Sequence, residues 1–249
     1  MVDVKALNNK AKQAAYDSCG VLPDHRTSED HFWVIGNDDL AYPIPRLINY
    51  PGCNEPYILL ENGTVISTDA KVADTNELKG RCTIHAGAIL NQIVTLEDGV
   101  EIGPRTILHR VVFVGANAQI GGDSLIGEDT NIDEGAIIGC QTIIDKFSYI
   151  GKFVTIGNSV SVGQSSTIQK KAQIKDNSFI EYGAIIGEMV KVGTNVSVGY
   201  SARIDLGCQI MDNVLVKPKK HYREHTLIYS NTMFERAKGA VMRTTNGPI

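Results

Sequence analysis

Between residues 137 and 163, "IIGCQTIIDKFSYIGKFVTIGNSVSVG", an aliphatic residue returns every six positions: Ile138, Ile144, Ile150, Ile156 and Val162. A helix returns its apolar residues at three or four and a simple strand at two, so six fits neither alone. The step runs without insertion from Leu60 to Val216, placing 27 aliphatic residues in one series. Four residues after each aliphatic comes a small or medium residue, as at Ala88, Val94, Thr106, Ala118, Ser124 and Ala136. The residue just after the aliphatic is often glycine, as at 103, 115, 121, 127, 139, 151 and 157.

The small residue and the next aliphatic are two apart, so on a short strand both point the same way, inward. Glycine after the aliphatic suggests a turn that needs positive φ. One strand and one turn then occupy six residues, and three such sides close a triangular coil of eighteen. Stacked coils pair strand on strand as parallel sheet, which leaves little lateral edge. About eight to nine coils at roughly 4.8 Å each predict a prism on the order of 40 Å tall.

The pattern [LIV]-G-x-x-[STAV]-x, seen in "IGEDTN", "VGTNVS" and "IGNSVS", resembles the hexapeptide-repeat superfamily. That resemblance implies a mainly β protein, a left-handed parallel β-helix, against the usual right-handed crossover. Most members it resembles are trimeric acyltransferases using acyl-CoA or acyl carrier protein. A minority are γ-class carbonic anhydrases or structural subunits. The expected organisation is an N-terminal helix and loop extension or cap over 1–57, the β-helix over 58–217, and a basic connector with a cap or helix over 218–249. Val4, Leu7, Ala11 and Ala14 fall on one helical face of the N-terminal segment. The basic run "KPKKHYREHT" reads as a solvated connector or as a patch for a phosphate-bearing substrate or carrier.

The residue before each inward aliphatic points outward, and sorting these by eighteen separates three faces. One carries Lys71, Ile89, Ile107, Leu125, Ile143, Ser161, Phe179, Ser197 and Leu215, an apolar ladder. A second is polar, from Thr83 and Glu101 to Gln209, and a third is mixed, from Glu77 and Thr95 to Arg203. Ile93, Val111 and Phe147 extend the apolar strip around the adjoining corner. Such a strip marks a contact surface. With the resemblance, it predicts a homotrimer joined through Ile89, Ile107, Leu125 and Ile143. A terminal helix of the same chain is the alternative cover.

Acyl transfer needs a base near neutral pH, and histidine is the residue for it. Of six histidines only His85, in "TIHAG", and His109, in "ILHRV", fall within the period. Both take the turn position where glycine is commonest. His109 lies beside the ladder, where the resemblance puts acyltransferase sites, and is the expected catalytic base. His85, Arg110 and Glu128 are the expected substrate contacts, and Glu128 and Asp129 are candidates to orient the imidazole. Two features differ from the enzymes resembled: no histidine stands two after an aliphatic, and no loop interrupts the coils. "ILH" also resembles the first zinc ligand of the γ-class carbonic anhydrases, but no histidine occurs between 110 and 220, and no metal is expected.

The function expected is therefore acyl transfer from acyl-CoA or acyl carrier protein, with no tightly bound cofactor. The acceptor is an amine or hydroxyl of a small molecule, a sugar or sugar nucleotide. A non-catalytic trimeric scaffold and a zinc protein are the alternatives. A net charge of −4 gives no reason to expect nucleic acid. "MVDVKALNNKAKQAAYD" has no apolar signal core and no run of about 18 apolar residues occurs, so no membrane contact and a cytoplasmic location are expected. Five cysteines lack CxxC spacing, and Cys82 and Cys208 fall at the inward small position.

Overall fold

The computed structural model describes residues 56–229 continuously, together with 46–52 and the short strands Val2–Asp3, Trp33–Ile35 and Ala41–Pro43. From Val65 onward the chain is a parallel solenoid of two-residue strands, one per six residues. Three faces form. The ladder face runs from Lys71–Val72 through Ile107–Leu108 to Leu215–Val216. The mixed face runs from Glu77–Leu78 to His221–Tyr222, and the polar face from Val65–Ser67 to Leu227–Ile228. Each strand pairs in parallel with the one eighteen residues away, as Ile89 with Ile107 and Leu90 with Leu108. The nine strands of the mixed face count the coils. Among the described residues no helix is long and apolar enough to cross a membrane.

The second residue of each strand points into the prism. Ile84, Leu90, Leu96, Leu108, Ile126, Ile132, Ile144 and Ile150 are all 0 % exposed. The inward small residues fill the corners of the triangle, and where they are polar their hydroxyls reach the coil above. Thr106 Oγ1 donates to Gly121 O at 2.8 Å, Thr142 Oγ1 to Gly157 O at 3.0 Å and Ser178 Oγ to Gly193 O at 2.9 Å. No buried side-chain nitrogen or oxygen lacks a partner among the described residues. The core is thus a dry aliphatic column whose few polar groups are each satisfied by the stacking itself.

The strained place in the turn differs from the one expected. Among the described residues, all nineteen non-glycine positions with positive φ sit third after an inward residue, among them Ile93, Arg105, Val111, Asn117 and Asp129. The glycine just after the aliphatic is not left-handed; it is there for space. A Cβ on Gly103 would lie 2.5 Å from Gly122 N, and one on Gly121 2.6 Å from Cys140 N, both in the coil above. The left-handed residue turns its N–H down to the coil below, as Val111 N to Gln92 O at 3.2 Å and Arg105 N to Ala86 O at 2.9 Å. Turns therefore stack by hydrogen bond like the strands.

The ends also differ from expectation. Leu60 opens the series in sequence, but the first member inside the parallel ladder is Ile66. The coil continues past 217. His221–Tyr222 pairs with Arg203–Ile204 and Leu227–Ile228 with Gln209–Ile210. The basic run is thus a turn and strand of the last coil. Tyr222 keeps the six-residue step with an aromatic ring, which an aliphatic series passes over. At the lower end, Arg46–Asn49, Pro56–Leu59 and Val65–Ser67 form an antiparallel meander on the polar face. Val2–Asp3 pairs antiparallel with Lys71–Val72, closing the edge of the ladder face. The rest of the expected N-terminal helix, and all of the C-terminal one beyond Tyr229, lie outside the described residues.

Candidate functional site

Parallel register stacks like positions of successive turns into columns. At the corner between the ladder and mixed faces, the first turn column reads Ala73, Asn91, His109, Gly127 and Asp145. The second reads Asp74, Gln92, Arg110, Glu128 and Lys146. Register therefore decides who meets whom. Glu128 lies over Arg110, not over His109, and Arg110 Nε donates to Glu128 Oε1 at 3.0 Å. The Arg110 guanidinium beside Glu128 holds its carboxyl below the usual range. Glu128 thus serves Arg110 instead of orienting the imidazole, and Asp129 falls in the next column.

Gly127 places no side chain above His109. Its imidazole is exposed and has no hydrogen-bond partner among the described residues. It stands between two cavities. One, about 420 Å³, is lined by Ala73, Asn91, Gln92, His109 and Arg110. The other, about 210 Å³, includes His109, Leu125, Glu128, Ile143 and Lys146. The site joins an imidazole, an arginine–glutamate pair and the edge of the apolar ladder.

A feature general to these turns was not foreseen. The second residue of a turn has a backbone N–H that no neighbouring coil's carbonyl accepts. Side chains fill the vacancy in a minority of turns, as where Asn158 Oδ1 accepts from Cys140 N at 2.8 Å and Glu181 Oε2 from Tyr200 N at 2.8 Å, while Gln92, Ala116 and Glu134 are open like most. At Arg110 and Glu128 no such acceptor is present among the described residues, so two N–H donors beside His109 are open. At Arg110 the positions that cap elsewhere hold Asn91 and Glu128, but Asn91 donates to Leu108 O and Glu128 accepts from the Arg110 side chain.

His85 is not part of this group. It lies at the corner between the polar and ladder faces, half-buried and pinned on both nitrogens. Its Nδ1 is 3.1 Å from Tyr57 Oη and its Nε2 is 3.1 Å from Glu101 Oε1. Tyr57 is 1 % exposed, and Tyr50 packs edge-on against the same ring at 5.8 Å. The expected substrate contact is a link between the antiparallel meander and the coil. With His85 and His109 at separate corners, they do not form a shared metal site. Among the described residues no cluster of three or more His, Cys, Asp or Glu is arranged to hold a metal ion.

On the ladder face Ile89, Ile107 and Leu125 are half-buried and the more exposed apolar residues lie higher up. Ile143 is 47 % exposed, Phe179 57 % and Leu215 71 %. Ile93, Val111 and Phe147 stand exposed at the corner. Ile93 and Val111 have φ of 61° and 59°. Left-handed backbone is costly for a β-branched residue.

The bacterial transferase hexapeptide family, of six repeats, matches residues 135–170. Among solved structures, LpxA from Acinetobacter baumannii is 15 % identical over 70 % of this chain and 77 % of that one, with a TM-score of 0.51. The UDP-N-acetylglucosamine O-acyltransferase LpxA from Moraxella catarrhalis is 19 % identical over 69 % and 76 %, with a TM-score of 0.46. The acetyltransferase domain of PglB from Neisseria gonorrhoeae, in complex with acetyl coenzyme A, is 17 % identical over 62 % and 54 %, with a TM-score of 0.26. At this identity the likeness to the Acinetobacter structure is one of fold. The unbroken six-residue period, the three-faced parallel coil and the fold likeness together make this chain a left-handed parallel β-helix, within which residues 135–170 match the bacterial transferase hexapeptide family.

Proposed function

We propose that this chain is an acyltransferase that moves an acetyl or longer acyl group from a thioester to an amine or hydroxyl of a sugar or sugar nucleotide. The observation that carries the reading is His109: an imidazole with no hydrogen-bond partner among the described residues, between two cavities, at the rim of a face whose outward residues are largely apolar. The transferase family match and the fold likeness to LpxA support it. The acyl donor is acyl-CoA or acyl carrier protein.

In this reading His109 takes the proton from the acceptor as the acceptor attacks the thioester carbonyl. The open N–H groups of Arg110 and Glu128 face the oxygen that gains charge, preorganised donors of the kind that steady a tetrahedral intermediate. Collapse expels the thiolate, which is protonated by the imidazolium. Arg110, held by Glu128, binds an anionic part of the acceptor. The ladder faces of three copies pack together, so that each site lies in a cleft and the imidazole is shielded from bulk water. A soluble, cytoplasmic enzyme accords with this substrate chemistry.

The scaffold reading keeps one observation on its side: the coils around His109 carry no inserted loop. A thermal-shift screen with acetyl-CoA, CoA and UDP-sugars separates the two. A ligand that binds the folded state raises its melting temperature by mass action. Stabilisation by a thioester or CoA supports the enzyme; no shift with any of them favours the scaffold.

A further inference from the structure

Higher on the same corner the surface changes character. On the ladder face Phe179 stands between Ser161 below and Ser197 above. The turn that follows carries Glu181 and Tyr182. Tyr200 lies one coil above Tyr182, their rings nearly parallel (20°) with centroids 6.4 Å apart. Ser161 and Gly163, one coil below, carry little bulk, so Phe179, Glu181 and Tyr182 stand around a notch of about 490 Å³. Phe179 and Tyr182 are each more than half exposed.

The groups around this notch differ from their counterparts elsewhere in the coil. Two other rings of this corner meet a lysine ammonium of their own chain. Lys146 Nζ lies 5.7 Å from the Phe147 centroid, and Lys219 Nζ 5.6 Å from that of Tyr200. Phe179 and Tyr182 have no such cation among the described residues. Turn glutamates elsewhere face a cation, as Glu97 does Lys79, Glu128 Arg110 and Glu134 Lys152. Glu181 forms no ion pair among the described residues, and its carboxylate is held in place by accepting from Tyr200 N at 2.8 Å. An oriented carboxylate beside two uncovered aromatic rings is complementary to a cation.

We propose that this notch binds an organic cation, an alkylated ammonium of the choline type. The rings of Phe179 and Tyr182 present their negative π faces to it, and Glu181 supplies the opposite charge. The lining is otherwise largely apolar, through Ile180 and Gly163. That suits a head group whose methyl carbons surround its charge. A primary ammonium, with three donors to satisfy, fits such a lining poorly. Lys217 and Lys219 stem from turns two coils above Glu181 and Tyr182, about 10 Å along the axis, where solvent and salt weaken their repulsion. The site does not depend on the acyltransferase reading.

Calorimetric titration of the full chain with choline tests the proposal, set against its uncharged isostere in which a tert-butyl group replaces the trimethylammonium. Choline is expected to bind about tenfold more tightly than the isostere. Tyr182→Ala is expected to weaken choline about tenfold, and Glu181→Gln about threefold. Ser161→Phe, which fills the notch and leaves its rings and carboxylate in place, is expected to abolish binding with the fold intact by circular dichroism. Lys219→Ala, which removes a competing ammonium, is expected to strengthen binding. Absence of choline binding, equal affinity for the isostere, or indifference to both Tyr182→Ala and Ser161→Phe overturns the proposal. Weaker choline binding by Lys219→Ala overturns it as well, since a cation site does not gain from that lysine.

Discussion

At the scale of single residues, the turn holds two distinct demands that the sequence presents side by side. The place after the inward aliphatic needs room, because the coil above passes close to it. The place two further on needs left-handed backbone. Both favour glycine, which is why the commonest glycines were read as left-handed. The true left-handed column was legible in its own way: it holds Asn117, Asp123, Asp129, Asn177, Asn195 and Asn213, the residues that tolerate positive φ best. Gly103→Ala is therefore expected to destabilise by about 1–3 kcal/mol through overpacking, read by denaturant unfolding. An unchanged midpoint contradicts the close approach. Val111 is the converse case. In a monomeric background, Val111→Asn relieves left-handed strain and is expected to add about 1 kcal/mol, or about 2–4 °C in melting temperature. A drop in melting temperature there contradicts the strain.

At the scale of the strand and coil, the inward register was fully legible, because a repeat of six fixes every side chain once one is placed. Cys82 and Cys208 are both 0 % exposed, and Cys140 is exposed in a turn. Burial pushes the Cys82 thiol above its ordinary pKa, so little thiolate forms there. A thiol reagent applied to the native protein is expected to label Cys140 first and leave Cys82 and Cys208 unmodified until unfolding. Rapid native labelling of either contradicts the register. What the period did not show was where coiling stops. The last coil replaces an aliphatic with Tyr222 and carries Lys219, Lys220 and Arg223 outward, so its charge resembles a linker while its spacing remains that of a coil. Nor did spacing show which turn neighbours pair. Glu128 follows Arg110 by eighteen and so stacks on it, a consequence of register that leaves His109 without an orienting hydrogen bond among the described residues.

At the scale of the whole molecule, one face of the prism is apolar along much of its length, and the site stands at its rim. Ile89, Ile107, Leu125 and Ile143 were legible as a ladder because eighteen-residue sorting is arithmetic. The role proposed for His109 rests on its position alone, since no side chain of the described coil bonds to it. Replacing Ile107 and Leu125 together with Glu is expected to give monomers in light scattering, where the unmodified chain is expected to give the mass of a trimer. A trimer that persists means that the ladder is covered by something else. The central claim, that His109 performs acyl transfer at this rim, is tested most directly by steady-state kinetics of His109→Ala with an acyl-CoA donor and a sugar-nucleotide acceptor. Removal of a general base is expected to lower kcat by about 10²–10⁴-fold, with trimer mass and melting temperature nearly unchanged. His85→Ala is expected to cost activity far less. Turnover by His109→Ala within a few-fold of the unmodified protein contradicts the assignment.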